Sequence, residues 1–218
     1  RDPDARRQQD RKARRAERIK MTKVKMCGLS RMEDIEYANE VLPEFIGFVF
    51  APKSRRYVSF EQAKKLRGEL DYRIAAVGVF VDEDIENIVR LVKDEVIDMV
   101  QLHGSEDNAY IAKLREMAEV PIIQAFKIID SYDAESAVLS DADFVLLDSG
   151  MGTGKTFDWS LIKSINRPYF LAGGISPENA AQAVERFSPY AVDASSSLET
   201  DGVKDLSKMT ALARAVRE

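Results

Sequence analysis

Eight short apolar runs recur along the chain at nearly constant intervals. Each run is rich in Val, Ile, Leu or Phe, and successive runs begin 21 to 28 residues apart. The runs cover residues 24–27, 46–50, 74–80, 99–102, 122–126, 144–147, 169–172 and 190–192. An interval of this length accommodates one strand, one helix and two short loops. The pattern therefore predicts parallel strands that alternate with helices.

The segments between the runs have the apolar spacing of amphipathic helices. In the clearest of them the apolar residues are three or four positions apart or adjacent: Ile85, Ile88, Val89, Val92 and Val96. Signals for helix starts accompany this spacing. They are the capping-box pairs Ser30 with Glu33 and Ser59 with Gln62, and the triplet Ser176-Pro177-Glu178. These signals predict where three of the helices begin.

The number of strand–helix units decides between two architectures. An open doubly wound sheet usually has five or six strands, whereas eight even units in about 200 residues fit a closed (β/α)8 TIM barrel. No linker or change in composition divides residues 21–218, and 45% of the 218 residues are apolar, enough for a substantial core. We therefore expect one barrel domain over residues 21–218.

Charge is distributed unevenly between the first 20 residues and the rest. Residues 1–20 have a net charge of +5 and residues 21–218 one of −10. We interpret residues 1–20 as a basic extension, a linker or a remnant of an expression vector. An acidic body disfavours nucleic acid as a partner, and no apolar run is long enough to cross a membrane. The expected location is the cytoplasm.

In a TIM barrel the chemistry takes place where strands end, so the residues at those positions are the candidates. Cys27 ends the first run and Asp148 follows the sixth. We expect Cys27 to be exposed at the barrel mouth, where neighbouring charge can activate a thiol as base or nucleophile. A carboxylate partly desolvated by an apolar strand suits a general acid. The alternatives are a small buried Cys27 and an Asp148 that orders a loop.

Other polar residues follow the second and fourth runs. The loop Pro52-Lys53-Ser54-Arg55-Arg56-Tyr57 is cationic and suits a carboxylate or phosphate ligand, unless it is simply solvated. Strand alternation places Gln101 and His103 on the same side, inward. One cysteine and one histidine argue against a metal centre built from these residues.

Small residues follow the last two runs. Gly173 and Gly174, together with Ser195 and Ser196, have the composition and position of a barrel phosphate site, with a helix start expected at Ser176. Tight turns are the alternative explanation for the glycines. Residues 149–156 almost match the phosphate-binding G-x-x-x-x-G-K-[ST] motif, but Ser149 stands in place of its first glycine. A glycine-rich flap over the barrel mouth is the favoured interpretation of that stretch.

Taken together, these strand ends resemble those of the phosphoribosylanthranilate isomerases, and the resemblance covers about residues 23–216. Ser197 stands where the family often has glycine, and Ala194 replaces a common valine. The motifs that carry the resemblance are Lys25-Met26-Cys27-Gly28, the loop from Pro52 to Tyr57, Gln101-Leu102-His103-Gly104, Leu146-Leu147-Asp148, the stretch from Gly152 to Trp159, Gly173-Gly174 and Asp193-Ala194-Ser195-Ser196.

The resemblance implies an Amadori rearrangement of N-(5-phospho-β-D-ribosyl)anthranilate to 1-(2-carboxyphenylamino)-1-deoxy-D-ribulose 5-phosphate in tryptophan biosynthesis. By analogy, Asp148 is the general acid, Cys27 the general base, and Arg56 binds the anthranilate carboxylate. Gln101 and His103 position the substrate. Gly173, Gly174, Ser195 and Ser196 bind its phosphate. No cofactor or metal is implied.

Three alternatives remain open. A related phosphate-binding barrel could act on another aminoaldose phosphate, although the dual-substrate enzymes resemble a different pattern with paired aspartates, and here the first strand ends in Cys27. A barrel that has lost turnover could bind phosphate ligands alone. A nucleotide switch at residues 150–156 would require Mg²⁺. The family resemblance suits a monomer or a homodimer, and fusion to another tryptophan-pathway enzyme is compatible with it.

Overall fold

Eight parallel strands close into a barrel in the computed structural model, which describes residues 21–148 and 165–218. The predicted (β/α)8 TIM barrel is confirmed. The basic extension and the near-match to the phosphate-binding motif at residues 149–156 lie outside the described residues. The strands are β1 Lys23–Cys27, β2 Phe45–Val49, β3 Ala75–Phe80, β4 Met99–Leu102, β5 Ile122–Lys127, β6 Phe144–Asp148, β7 Tyr169–Ala172 and β8 Ala191–Ala194.

The first and last strands close the barrel. β1 pairs in parallel with β8, and in this register Lys25 lies opposite Asp193. β1 also pairs with β2, and the remaining strands pair in sequence order up to β8. The closure leaves no free sheet edge in the barrel. It also brings the ends of β1 and β8 together, although they are far apart in sequence.

Two apolar layers hold the fold together. Residues on alternate positions of the strands fill the barrel interior, including Val77, Ile123, Leu146 and Phe170. The other strand positions pack against the surrounding helices and form a larger core. A parallel strand covered on both faces becomes apolar throughout, which explains why each strand appears in the sequence as a continuous run.

An aromatic cluster fills the end of the barrel where the strands begin. Phe45, Phe144, Phe170 and Tyr190 contact one another, with ring centroids 4.7 to 6.3 Å apart. The ammonium of Lys23 lies 4.1 Å from the centroid of the Tyr190 ring and donates to its hydroxyl. This packed floor leaves the opposite end of the barrel for chemistry.

Helices follow the strands and cover the outside of the barrel. Within the described residues they are α1 Met32–Val41, α2 Phe60–Glu69, α3 Ile85–Lys93, α4 Asn108–Met117, α5 Ser131–Val138, α6 Ala180–Phe187 and α7 Leu206–Arg217. Ile85, Ile88 and Val89 of the predicted apolar face are buried in α3. Val92 is half-buried and Val96 lies beyond the end of the helix, whereas Leu91, which was not predicted, is buried. The Ser59 side chain accepts from the backbone N–H of Gln62, which confirms the predicted start of α2.

The predicted start of α1 is wrong by one residue. Its N-cap is Arg31, not Ser30. The carboxylate of Asp34 accepts from the backbone N–H groups of Ser30 and Arg31 at 2.9 and 3.0 Å, and it also binds the Arg31 guanidinium. Asp34 is buried, whereas Glu33, the predicted partner of Ser30, is exposed. The shorter acid therefore takes the capping role.

The predicted start of α6 at Ser176 also differs from the structure. The helix begins at Ala180, with Asn179 as its N-cap. A turn precedes it, in which the Ser176 carbonyl accepts from the N–H groups of Asn179 and Ala180. The Asn179 side chain accepts from the Ser176 N–H at 2.9 Å. The proline and serine thus lead into the helix without belonging to it.

A small structure that the sequence did not predict follows β8. A short 3-10 helix, Ser196–Leu198, leads into an antiparallel pair of two-residue strands, β9 Glu199–Thr200 and β10 Val203–Lys204. This hairpin carries two charged side chains, Glu199 and Lys204, to the catalytic end of the barrel. None of the described helices is long and apolar enough to cross a membrane.

Candidate active site

A cavity of about 470 Å³ opens at the carboxyl ends of the strands. This volume lies within the usual range for small-molecule sites. The cavity brings together eight residues that the sequence singled out: Cys27, Gln101, His103, Asp148, Gly173, Gly174, Ser195 and Ser196. Arg56, the ninth candidate, is not among the residues that line it.

Cys27 ends β1 and is only 9% exposed, contrary to the expectation of an exposed thiol. Its Sγ lies against Gly47 on the neighbouring strand, where a Cβ would come within 2.6 Å of the sulfur. The absent side chain of Gly47 therefore makes room for the thiol. Burial raises the pKa of Cys27, and the ammonium of Lys25 opposes this shift.

A buried ion pair lies next to this thiol. Lys25 Nζ donates to Asp193 Oδ1 at 3.0 Å, and the Lys25 side chain has no exposed surface. Burial alone would lower the pKa of Lys25, but the charges of Asp193 and Cys27 outweigh it and the pKa is raised. Lys25 is therefore a cation inside the barrel.

Asp148 ends β6, on the far side of the cavity from Cys27. Its carboxylate is 32% exposed and lies 3.9 Å from Nε2 of His103. Nδ1 of His103 is hydrogen-bonded to Nε2 of Gln101 at 2.9 Å. When the Gln101 amide donates this bond, the proton of the neutral ring is on Nε2 and faces Asp148. Loss of hydration in the cavity lowers the pKa of His103 despite the nearby carboxylate, which favours the neutral ring.

The amide of Gln101 has one atom without a partner. Gln101 is 1% exposed, and its Oε1 accepts no hydrogen bond within the described part of the chain. A buried acceptor left unpaired is costly, so it marks a place where a donor is expected. Because Gln101 lines the cavity, that donor can come from a bound ligand.

Arg56 belongs to a charged cluster at the rim of the cavity. Its Nε and Nη2 donate to the two carboxylate oxygens of Glu199 at 2.5 and 2.8 Å. Lys204 Nζ donates to the same carboxylate at 2.8 Å and to the Ser195 carbonyl at 3.0 Å. Lys53 and Arg55, the other cations of the predicted loop, are exposed to solvent. Of the three cations in that loop, only Arg56 is half-buried.

The loops after β7 and β8 form one wall of the cavity. Gly173 and Gly174 both have a φ of 80°, a conformation that favours glycine and brings the backbone close to a ligand. The Ser195 hydroxyl donates to the Cys27 carbonyl at 3.0 Å. Ser197, where the resemblance suggested glycine, donates from its hydroxyl to the Ile175 carbonyl at 2.5 Å. Its side chain therefore links the two loops.

Four charged residues of the site were not assigned a role from the sequence: Lys25, Asp193, Glu199 and Lys204. Lys25 could have been found from the sequence. It is a charged residue within an apolar run, two positions before Cys27 and therefore on the same face of the strand. No such signal marked Glu199 or Lys204, because the hairpin that carries them was not predicted. Within residues 21–148 and 165–218, no group of three or more His, Cys, Asp or Glu side chains could hold a metal ion.

Comparison with known proteins gives one consistent family. A family model described as N-(5'phosphoribosyl)anthranilate (PRA) isomerase matches residues 24–215. An N-(5'-phosphoribosyl)anthranilate isomerase from Endomicrobium trichonymphae is 44% identical over 203 residues, which are 90% of this chain and 99% of that relative. An isomerase of the same name from Acetivibrio thermocellus is 42% identical over 212 residues, which are 91% of this chain and 97% of that relative.

Solved structures agree with the sequence relatives. The phosphoribosyl anthranilate isomerase from Thermotoga maritima superposes with a TM-score of 0.83 at 36% identity, covering 90% of this chain and 98% of its own. A second structure, with a TM-score of 0.81 and the same identity and coverage, is a phosphoribosyl anthranilate isomerase in complex with reduced 1-(o-carboxyphenylamino)-1-deoxyribulose 5-phosphate. These matches extend over the whole barrel.

Proposed function

The chain belongs to the N-(5'-phosphoribosyl)anthranilate isomerase family and is an isomerase of tryptophan biosynthesis, and from that premise we propose that Asp148 is its general acid and Cys27 its general base. The reaction is the Amadori rearrangement of N-(5-phospho-β-D-ribosyl)anthranilate to 1-(2-carboxyphenylamino)-1-deoxy-D-ribulose 5-phosphate. One observation carries the assignment. A carboxyl and a thiol line the same cavity from β6 and β1, and β7 and β8 lie between those two strands.

The acid step opens the sugar ring. Asp148 protonates the ring oxygen as the bond to C1 breaks, and the nitrogen lone pair forms an iminium ion. The partly exposed carboxyl at the end of β6 is accessible from the cavity, which supports this role. Nε2 of His103 lies on the same side, 3.9 Å from Asp148. We assign His103 to the orientation of this carboxyl and of the substrate.

The base step removes the C2 proton of the iminium ion. The Cys27 thiolate takes the proton, the electron pair moves towards nitrogen, and the enol-amine then becomes the ketose. The location of the thiol at the cavity wall supports this role. Protonation of C1 completes the ketose, and the Cys27 thiol formed in this step can supply that proton, which restores the thiolate.

The site offers polar groups for both charged groups of the substrate. The glycines after β7 and the serines after β8 would bind the phosphate through backbone N–H groups and hydroxyls: Gly173, Gly174, Ser195 and Ser196. Arg56, at the rim, would bind the anthranilate carboxylate. Oε1 of Gln101, which has no partner within the described residues, would accept from a hydroxyl of the opened sugar.

Two variants test the assignment. Cys27→Ser and Asp148→Asn should each lower kcat by about 10²- to 10⁴-fold, because each removes a proton-transfer group but keeps its shape. The measurement is the fluorescence decay of freshly generated phosphoribosylanthranilate in the presence of each purified protein. Turnover near the wild-type rate in either variant would contradict the role given to that residue.

Binding provides the control for these variants. Each should retain affinity for the reduced product analogue that a solved relative binds. Loss of turnover together with loss of binding would indicate a damaged site instead of a missing acid or base. Ser207 is a polar residue on α7 that is not among the residues lining the cavity, and Ser207→Ala serves as a variant with unaltered turnover.

We also propose that the enzyme acts in the cytoplasm on a free phosphosugar, as a monomer or a homodimer. One solved structure is described as mutually generated monomers of the dimeric enzyme from Thermotoga maritima. Light scattering at micromolar concentration distinguishes the two states of this chain. A mass that matches neither state would contradict the proposal.

A further inference from the structure

The buried cation next to Cys27 takes no part in the steps above. Lys25 lies two positions before Cys27 on β1, and alternation places both side chains on the inner face of the strand. Its Nζ is 3.0 Å from Asp193 Oδ1, and the two residues are register partners across the closure of the barrel. Lys25 therefore occupies a fixed position between the apolar floor and the thiol.

Stability alone does not account for this ion pair. Removing an ammonium and a carboxylate from water is costly, and apolar residues of similar size often stabilise an interior equally well. The layer beneath the pair is apolar and contains Phe45, Phe170 and Ala191. An apolar pair at this level would extend the same packing. The charges are therefore expected to serve the cavity above them.

The charges around Cys27 act in opposite directions. Lys25 and Lys204 favour the thiolate, and Asp193 disfavours it. Arg56 also interacts with the thiol by charge, from the loop after β2. Lys25 has the largest effect of the groups that favour the thiolate, and strand alternation places it on the same face of β1 as the sulfur. The remaining titratable side chains of the cavity are His103, which follows β4, and Asp148, which ends β6.

From this arrangement, and resting on the proposed role of Cys27 as the base, we propose that Lys25 is a positioning residue that stabilises the Cys27 thiolate, with Asp193 as the counter-ion that keeps Lys25 charged and in place. A thiol buried beside Gly47 needs such a cation, because burial opposes ionisation. The charge of Lys25 holds the pKa of the thiol below the level that burial and Asp193 would otherwise give it. Lys25 itself does not touch the reacting atoms.

The test follows the ionisation of Cys27 directly, without substrate. Cys27 is the sole cysteine of the chain, so the ultraviolet absorbance of thiolate reports on one residue. In Lys25→Met the thiol pKa should rise by about one unit or more, the usual effect of losing an adjacent opposite charge. Alkylation by iodoacetamide at fixed pH should slow about tenfold, because only the thiolate reacts. The acidic limb of the kcat profile should move to higher pH by the same amount.

Lys23→Met is the matched control. It removes the same charge from the same strand, but Lys23 lies at the opposite end of the barrel beside Tyr190. The thiol titration of this variant should coincide with that of the wild type. An equal shift in both variants would mean that the overall charge, not the position of Lys25, sets the ionisation, and would overturn the proposal.

A second variant covers the case in which Lys25→Met fails to fold because Asp193 is left buried and unpaired. Lys25→Met with Asp193→Asn removes both charges, and its thiol pKa should still exceed that of the wild type, because Lys25 outweighs Asp193 at the sulfur. An unchanged thiol titration in the folded variant would overturn the role of Lys25. The proposed base would then be judged separately, by the turnover of Cys27→Ser.

Discussion

At the scale of single residues, the guanidinium of Arg56 has two usable edges. Glu199 occupies one of them, accepting from Nε and Nη2. Guanidinium has five N–H donors in a planar fork, so the remaining donors, including those on Nη1, can bind a second carboxylate. Glu199 is itself held by Lys204. We expect Glu199 to orient Arg56 towards the anthranilate carboxylate while its own charge is compensated.

Substituting this carboxylate tests the orientation of Arg56. Glu199→Gln removes the charge but keeps the length, and it should raise KM about tenfold with little change in kcat, because a charge-assisted hydrogen bond contributes about 1.5 to 3 kcal/mol. Steady-state kinetics on phosphoribosylanthranilate measures both constants. Glu218→Gln is the control: it removes the same charge at an exposed position, and it should change neither constant. A fall in kcat at constant KM would assign Glu199 to the chemistry instead.

The sequence predicts only those candidate site residues that stand at the end of an apolar run. Cys27 and Asp148 were identified because each stands at the end of an apolar run. The bond from Arg56 to Glu199 joins residues 143 positions apart, and Lys25 and Asp193 are 168 apart. Such pairings depend on barrel closure and on an unforeseen hairpin. Barrel closure also explains why the expected exposure of Cys27 was wrong, because the neighbouring strands cover the thiol.

At the scale of elements, strands were easier to predict than helix starts. The predicted runs differ from the observed strands by no more than two residues at either end, because burial on both faces makes a strand apolar along its whole length. Helix starts depend on single side chains that compete for the same N–H groups. Glu33 has the capping-box spacing, but Asp34 reaches the backbone.

The competition at the start of α1 can be measured. Asp34→Ala should lower the free energy of unfolding by about 1 to 2 kcal/mol, because it leaves the Ser30 and Arg31 N–H groups without their acceptor. Glu33→Ala, at the adjacent exposed position, should change it by less than about 0.5 kcal/mol. Urea unfolding followed by circular dichroism gives both values. Equal losses in the two variants would contradict the capping role of Asp34.

At the scale of the whole molecule, the aromatic floor and the proposed active site lie at opposite ends of the barrel. The aromatic floor lies where the strands begin, and the cavity lies where they end. Phe170 is fully buried in this floor and contacts three other aromatic rings. It is not among the residues that line the cavity. Damage to the floor should therefore affect folding more than turnover.

Phe170→Ala tests this separation. The variant should lose about 3 to 5 kcal/mol of stability through the cavity left in the floor, whereas kcat of the folded protein at low temperature should stay within about twofold of the wild type. Chemical unfolding and steady-state kinetics on the same preparation give the two numbers. Tyr72→Ala, at a 90% exposed position, should alter neither. A large loss of kcat with stability retained would show that the floor and the cavity are coupled.

The pairing of β1 with β8 has a consequence for the order in which this enzyme acquires activity. Cys27 is on the first strand, whereas the Asp193 that holds its neighbouring lysine is on the last. During synthesis the ribosome releases the two strands at very different times, so the nascent barrel contains a thiol long before it contains the environment that tunes it. The sulfur acquires its buried, charge-paired surroundings only when the ring is complete, and the onset of turnover therefore reports that folding has finished.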